Sequence, residues 1–164
     1  MSITMTDRFR KWFAYEKDAH KKVLESLETV PVARHREVVY QQALDLFGHV
    51  IAARWFWLFR FGAGPRPDNL FPEKMDLDVL RRGADEMYSA WDDYFEKLDE
   101  ADLDRQVEYT STEGARYTNK IEDILKQLSD HSRYHCGQIA SRVKTCGGTA
   151  ATTDYVFFVR ELTG

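Results

Sequence analysis

Two histidines stand four residues apart in the segment Asp130-His131-Ser132-Arg133-Tyr134-His135. In a helix, positions i and i+4 lie about 40° apart on one face, so two imidazoles at this spacing can converge on one ion. The same turn-counting places them in the sector of Ile121, Ile124, Leu125, Leu128 and Ile139, the apolar side of that helix. A third histidine, His49, shares the sector of Val39, Leu46, Val50, Ala53 and Trp57 in an earlier helix. Three buried imidazoles without a shared partner are costly. His49, His131 and His135 therefore read as ligands of one divalent ion, with at least one coordination position left open. Such a site lowers the pKa of bound water toward about 7. Zinc, nickel and iron all accept imidazole, zinc or nickel ahead of iron, and spacing does not choose among them.

Other histidine-based designs do not fit. Ser132 follows His131, so the His-Glu-x-x-His zinc peptidase motif is absent. No histidine has a glutamate three positions before it, which removes the ferritin-like di-iron bundle. No nucleophile-elbow signature supports a serine or cysteine hydrolase.

Further candidates have two readings each. Glu16 and His20 fall in the apolar stripe of the first helix, where either could approach the ion; the plainer expectation puts them toward a wet end of the bundle. If either completed the coordination sphere, the metal would be structural, in a non-catalytic stress-associated bundle. Without any metal, the histidines would simply pack. His35 lies between Arg34 and Arg36 and reads as solvent-facing. Cys136 points about 100° away from His135 and reads as a small packed residue. Trp55, Trp57 and Phe59 read as core or interface, with an aromatic-lined pocket as the alternative.

The elements that must position these residues are four helical segments with breakers between them. The first runs from about Asp7 to Glu28 and stops before Pro31, with Phe9, Trp12, Phe13, Ala19, Val23, Leu24 and Leu27 as its stripe. The second runs from about Arg36 to Arg60 and ends at Gly62-Ala63-Gly64-Pro65. The third begins at Asp76 or Asp78 as N-cap and continues to about Leu98. The fourth starts at Asn119, with Glu122 at capping-box spacing, and ends at Gly147-Gly148. Before it, Arg105 to Tyr109 and Ala115 to Thr118 flank a Ser-Thr-Glu-Gly turn and predict a short hairpin, marginal on its own. The aromatic tail from Asp154 to Glu161 is expected to lie across the bundle. The fold class is therefore all-α, a four-helix bundle with a short hairpin before the last long helix, in a single domain over residues 1–164.

Composition narrows the class. The 164 residues carry 23 Lys+Arg against 27 Asp+Glu, a formal net charge of −4, without the basic footprint of a nucleic-acid partner. The most apolar stretch, Leu46 to Phe61, holds His49, Arg54 and Arg60 and is shorter than the roughly 20 residues a membrane span needs. Met1 to Arg10 lacks the apolar region of a signal peptide. Cys136 and Cys146 are ten positions apart in one helix, roughly 15 Å, too far to bridge. Free thiols and no export signal predict the cytoplasm.

His49 within Leu46-Phe47-Gly48-His49-Val50-Ile51, the His-x-x-x-His-x-Gly-Gln-Ile run from His131 to Ile139, and Thr153-Asp154-Tyr155 in the tail together carry a resemblance. In these features, and in the aromatic opening Trp12-Phe13-Ala14-Tyr15-Glu16, the chain resembles the DinB-like (damage-inducible) metalloenzyme family over nearly its whole length. The resemblance implies a four-helix bundle with an unusual connection order, a metal on His49, His131 and His135, and a homodimer. It also implies a small-molecule substrate, with metal-dependent transferases and isomerases that use low-molecular-weight thiols among the relatives. A metal-dependent hydrolase is the alternative. Family members often carry arginine after the last histidine, where this chain has Cys136, so any role of that arginine does not transfer.

Overall fold

Thr4 starts the first helix, its hydroxyl accepting from the Asp7 amide at 3.1 Å while the Asp7 carboxylate accepts from the Thr4 amide at 3.2 Å. This reciprocal cap satisfies two donors that a helix start otherwise leaves unpaired, and it begins the helix ahead of Asp7. The computed structural model describes residues 3–163. Its long helices are α1 (Met5–Glu28), α2 (Val38–Arg60), α3 (Leu77–Lys97) and α4 (Ile121–Thr145). A hairpin of β1 (Gln106–Thr110) and β2 (Arg116–Lys120) precedes α4, and a short α5 (Tyr155–Val159) follows it.

Most of these boundaries follow local chemistry. Asp76 caps α3, accepting from the Val79 amide at 2.9 Å. At the end of α2, Gly62 takes φ 72°, a backbone conformation that disfavours a Cβ. The Gly62 and Ala63 amides there donate back to the Phe59 and Leu58 carbonyls, closing a Schellman motif. The start of α4 departs from the expected Asn119 cap. Lys120 occupies the cap position with no side-chain hydrogen bond, and Asn119 lies in β2. There its Oδ1 accepts from the Tyr109 hydroxyl at 2.9 Å, a cross-strand bond that competes with the capping role.

The principal helix contacts pair α2 with α4, α1 with α4, α2 with α3, and α1 with α3. Consecutive α1 and α2 thus occupy opposite corners of the bundle, as do α3 and α4. Phe13, Leu27, Phe47, Leu80, Trp91, Ile121 and Ile139 are buried between them. The hairpin, marginal alone, gains support by burying Val107 and setting Tyr109 against Trp57 of α2 at a centroid distance of 4.9 Å. The tail lies on α1, where Tyr15 meets Tyr155 and Phe158 and donates to the Thr153 carbonyl. Val156 and Phe157 of the tail stay exposed. No helix among the described residues is long and apolar enough to cross a membrane.

Candidate metal centre

His49 projects from α2, and His131 and His135 from successive turns of α4, the helix packed against it. The His131 Nε2 lies 3.1 Å from the Nε2 of His49 and 3.1 Å from that of His135. The three prospective ligand atoms all fall within 4.8 Å of one another. A tetrahedral ion with bonds of about 2.0–2.1 Å would set its ligand nitrogens roughly 3.3 Å apart, close to these contacts.

The far side of two rings is anchored. The His49 Nδ1 is 2.8 Å from the Leu70 carbonyl, and the His135 Nδ1 is 2.7 Å from the Gln138 Oε1. Both partners only accept through those oxygens, so each Nδ1 carries the proton and each Nε2 presents a lone pair inward. The His131 Nε2 can share one proton with one neighbour at most, and the other contact then sets lone pair against lone pair. Burial pushes the His131 pKa down to about 4, with His135, His49 and Arg54 adding repulsion, so a second proton does not resolve the conflict near neutral pH. Burial also lowers the His135 pKa. A cation at the centre satisfies all three nitrogens, and the donor set fits a divalent metal.

The loop between α2 and α3 completes this wall. It supplies the Leu70 carbonyl and Phe71, whose ring stacks on His49 at 4.6 Å and 6°. Its close approach needs Gly48, because a Cβ there would meet the Pro72 Cγ at 2.9 Å and the Met75 Cγ at 3.0 Å.

Glu16 and His20 do not lie toward a wet end, contrary to expectation, being 3% and 0% exposed. They do not join the histidine trio either. The Arg54 Nε donates to the Glu16 Oε1 at 3.0 Å, and its Nη2 reaches the other oxygen. The His20 Nδ1 lies 2.8 Å from the Tyr88 hydroxyl and its Nε2 2.6 Å from the Ser132 hydroxyl. Although Glu16 is 3.7 Å from His20, burial holds the His20 pKa down to about 4, against the attraction of Glu16, so the imidazole is neutral rather than ion-paired. This network abuts the trio through Ser132, the neighbour of His131, and its members are spoken for. Among the described residues, no fourth His, Cys, Asp or Glu joins the group.

His35 also departs from expectation. It is half-buried, bonding the Val30 carbonyl through Nε2 at 2.9 Å and stacking on Tyr40 at 4.4 Å. Cys136 is packed as expected, and burial raises its thiol pKa to about 12, which leaves it protonated and inert. Trp57 lines a cavity as well as packing on its neighbours, so the pocket reading holds for it.

Two cavities reach the trio. One of about 140 Å³ is bounded by His49, His131, Phe56, Trp57, Leu70 and Leu128 among others. The second, of about 350 Å³, opens between His49 and His135 beneath Phe71 and Pro72. Sequence reasoning missed Leu70, Gln138 and Arg54. Gln138 carried a signal, since it follows His135 at i+3 on the same helix face. Arg54 stood out as a charge within an apolar run, whereas a backbone carbonyl such as that of Leu70 has no sequence signature.

No match was found among curated proteins or solved structures. The family model of the DinB superfamily matches residues 42–139, more than half of the chain and inclusive of all three histidines. With that match added to the helical bundle and its histidine trio, the chain belongs to the DinB superfamily.

Proposed function

We propose that this protein is a metal-dependent enzyme whose ion is held by His49, His131 and His135, with a coordination position open to a small molecule. The observation that carries this reading is the incomplete ligand set beside two cavities: three imidazoles converge, two of them anchored from behind, and no fourth protein ligand closes the sphere among the described residues. Structural zinc sites are normally saturated by protein ligands, so the non-catalytic reading loses its support once Glu16 and His20 are seen to be engaged elsewhere. An ion at this site supplies Lewis acidity, lowering the pKa of a thiol or a water and polarising an electrophile.

The chain's own residues then have distinct tasks. The Leu70 carbonyl and Gln138 hold His49 and His135 in the tautomer that faces the ion. Phe71 covers one face of the His49 ring, and Leu70 and Leu128 give the inner cavity an apolar lining. The favoured reaction class is transfer to or from a low-molecular-weight thiol, with hydrolysis as the alternative. Family resemblance supports the thiol, and the ligand count supports both.

The site is tested by metal content of the purified protein and of His135→Ala. About one ion per chain in the former and loss in the latter is expected, and unchanged stoichiometric metal in the variant overturns the ligation. The chemistry is tested with bacillithiol, mycothiol or glutathione and monochlorobimane. Metal-dependent conjugation is expected; its failure with every thiol shifts the reading to hydrolysis.

A further inference from the structure

The 140 Å³ chamber beside His49 and His131 is close to the ~150 Å³ that accommodates a benzene ring in an engineered protein cavity. Its walls are mostly apolar, through Ala53, Phe56, Trp57, Leu70 and Leu128, and no Asp or Glu among the described residues lines it. One cation does. Arg60, in the last turn of α2, borders this chamber and also an outer one of about 520 Å³ against the hairpin.

The surroundings of Arg60 are unusual for a half-buried guanidinium. It lies over the Trp57 and Tyr109 rings, 4.5 Å from each centroid, and these rings are nearly perpendicular to each other. That packing holds the group in place between two rings whose faces accept none of its strong hydrogen bonds, so its N–H donors remain for a partner. No such partner is present among the described residues: no carboxylate pairs with it, and burial lowers its pKa with only Tyr109 offsetting the effect. The contrast with Arg54 is direct, since Arg54 is also stacked on aromatic rings but is met by Glu16. The carboxylate bordering the outer chamber, Glu108, is 3.4 Å from Arg116 on the opposite strand. The second cavity at the trio has the opposite balance, with Asp45 and Glu73 beside Arg142. A fixed fork of donors at the mouth of an apolar chamber recognises a planar or tetrahedral oxyanion.

We propose that Arg60 is the oxyanion-binding residue of this site and that the substrate is a small organic anion. Its carboxylate or phosphate seats on the Arg60 guanidinium, and its apolar part crosses the chamber toward His49 and His131. The proposal rests on the metal-site reading for what happens at the histidines; the anion contact itself stands without it.

The test compares phenylacetate, phenyl phosphate and neutral phenylacetamide by calorimetric titration of the zinc-loaded protein and of the chelator-treated protein. At least one anion is expected to bind about tenfold more tightly than the amide in both forms, and the tighter anion names the oxyanion. Arg60→Gln is expected to abolish that preference while metal content stays at the wild-type level. Arg60→Lys, which keeps the charge without the fork, should retain part of it and serves if the glutamine variant does not fold. Equal binding of anion and amide, an anion preference that survives Arg60→Gln, or no saturable binding of any probe overturns the proposal. Failure of the protein to hold zinc defeats the metal-site reading instead, and the anion preference of the metal-free protein still reports on Arg60.

Discussion

Glu16 of α1 and Arg54 of α2 form an ion pair across the centre of the bundle, each 3% exposed, although their helices occupy opposite corners. The guanidinium also lies over the Phe13 and Trp91 rings, 4.9 and 4.7 Å from their centroids. A pair buried this deeply has little net stabilising value, because desolvation of both ions offsets their attraction. Removing one member is different, since it strands the other charge. Glu16→Ala is therefore expected to destabilise the protein by about 3–5 kcal/mol. The double variant Glu16→Leu/Arg54→Met should recover much of that loss. Urea unfolding of the three proteins checks this, and a double variant worse than the single one by a further comparable amount would refute it.

His20 connects the same cluster to pH. It faces Glu16 on its own helix, Arg54 of α2, Tyr88 of α3 and Ser132 of α4. Its pKa falls from 6.5 to about 4 in the folded chain, chiefly through burial. The unfolded chain therefore binds the extra proton between those values, and the stability from neutral His20 is complete above about pH 6.5 and lost as pH falls toward 4. The loss amounts to about 3 kcal/mol at 1.36 kcal/mol per pH unit. In chelator-treated protein, the stability gap between wild type and His20→Gln is expected to narrow over that interval. A gap independent of pH would show that His20 does not stay neutral in the fold.

The parts legible in the sequence were those written along single helices. The stripe of α1 and the breakers at Pro31 and Gly62 are local signals, and so is the i, i+4 pair His131 and His135 on the Leu125 and Leu128 face. The inward sector of His49, also a local signal, marks it as the third candidate ligand. What stayed hidden was relational. Periodicity put Glu16 and His20 on the buried stripe, but Arg54, Tyr88 and Ser132, the groups that make their burial tolerable, sit on three other helices. Without those partners, two polar residues on an apolar stripe read as a wet end. Asn119 failed as a cap for a similar reason, because the competing Tyr109 hydroxyl arrives only once the hairpin closes.

Gln138 gives the histidine trio a separable test. Its Oε1 fixes the proton on the His135 Nδ1, so Gln138→Ala frees the ring to rotate and to change tautomer. Loss of such an anchoring partner typically weakens metal binding by about 10–100-fold. Gln138→Glu retains the acceptor and should keep wild-type affinity or exceed it. Competition with a chromogenic zinc chelator measures both variants, and identical affinity in wild type and Gln138→Ala would remove Gln138 from the support of the site.

Gly48 tests whether the α2–α3 loop holds His49 in place. Replacing glycine by alanine inside a helix contributes about 1 kcal/mol of stability through propensity alone. The new methyl, however, would lie 2.9 Å from the Pro72 ring and 3.0 Å from the Met75 side chain, a crowding that typically costs about 1–3 kcal/mol. The two effects nearly offset, so Gly48→Ala is expected to fold with a melting temperature within a few degrees of wild type. Pro72 is two residues from Leu70, and its rigid ring cannot swing clear as the Met75 chain can. The displaced loop thus draws the Leu70 carbonyl off the His49 Nδ1, and zinc affinity falls by up to about tenfold although the substituted residue touches no metal. Chelator competition and thermal unfolding on the same sample separate the two effects. Unchanged affinity at unchanged stability would mean that the loop yields without moving Leu70, and that His49 is oriented by α2 alone.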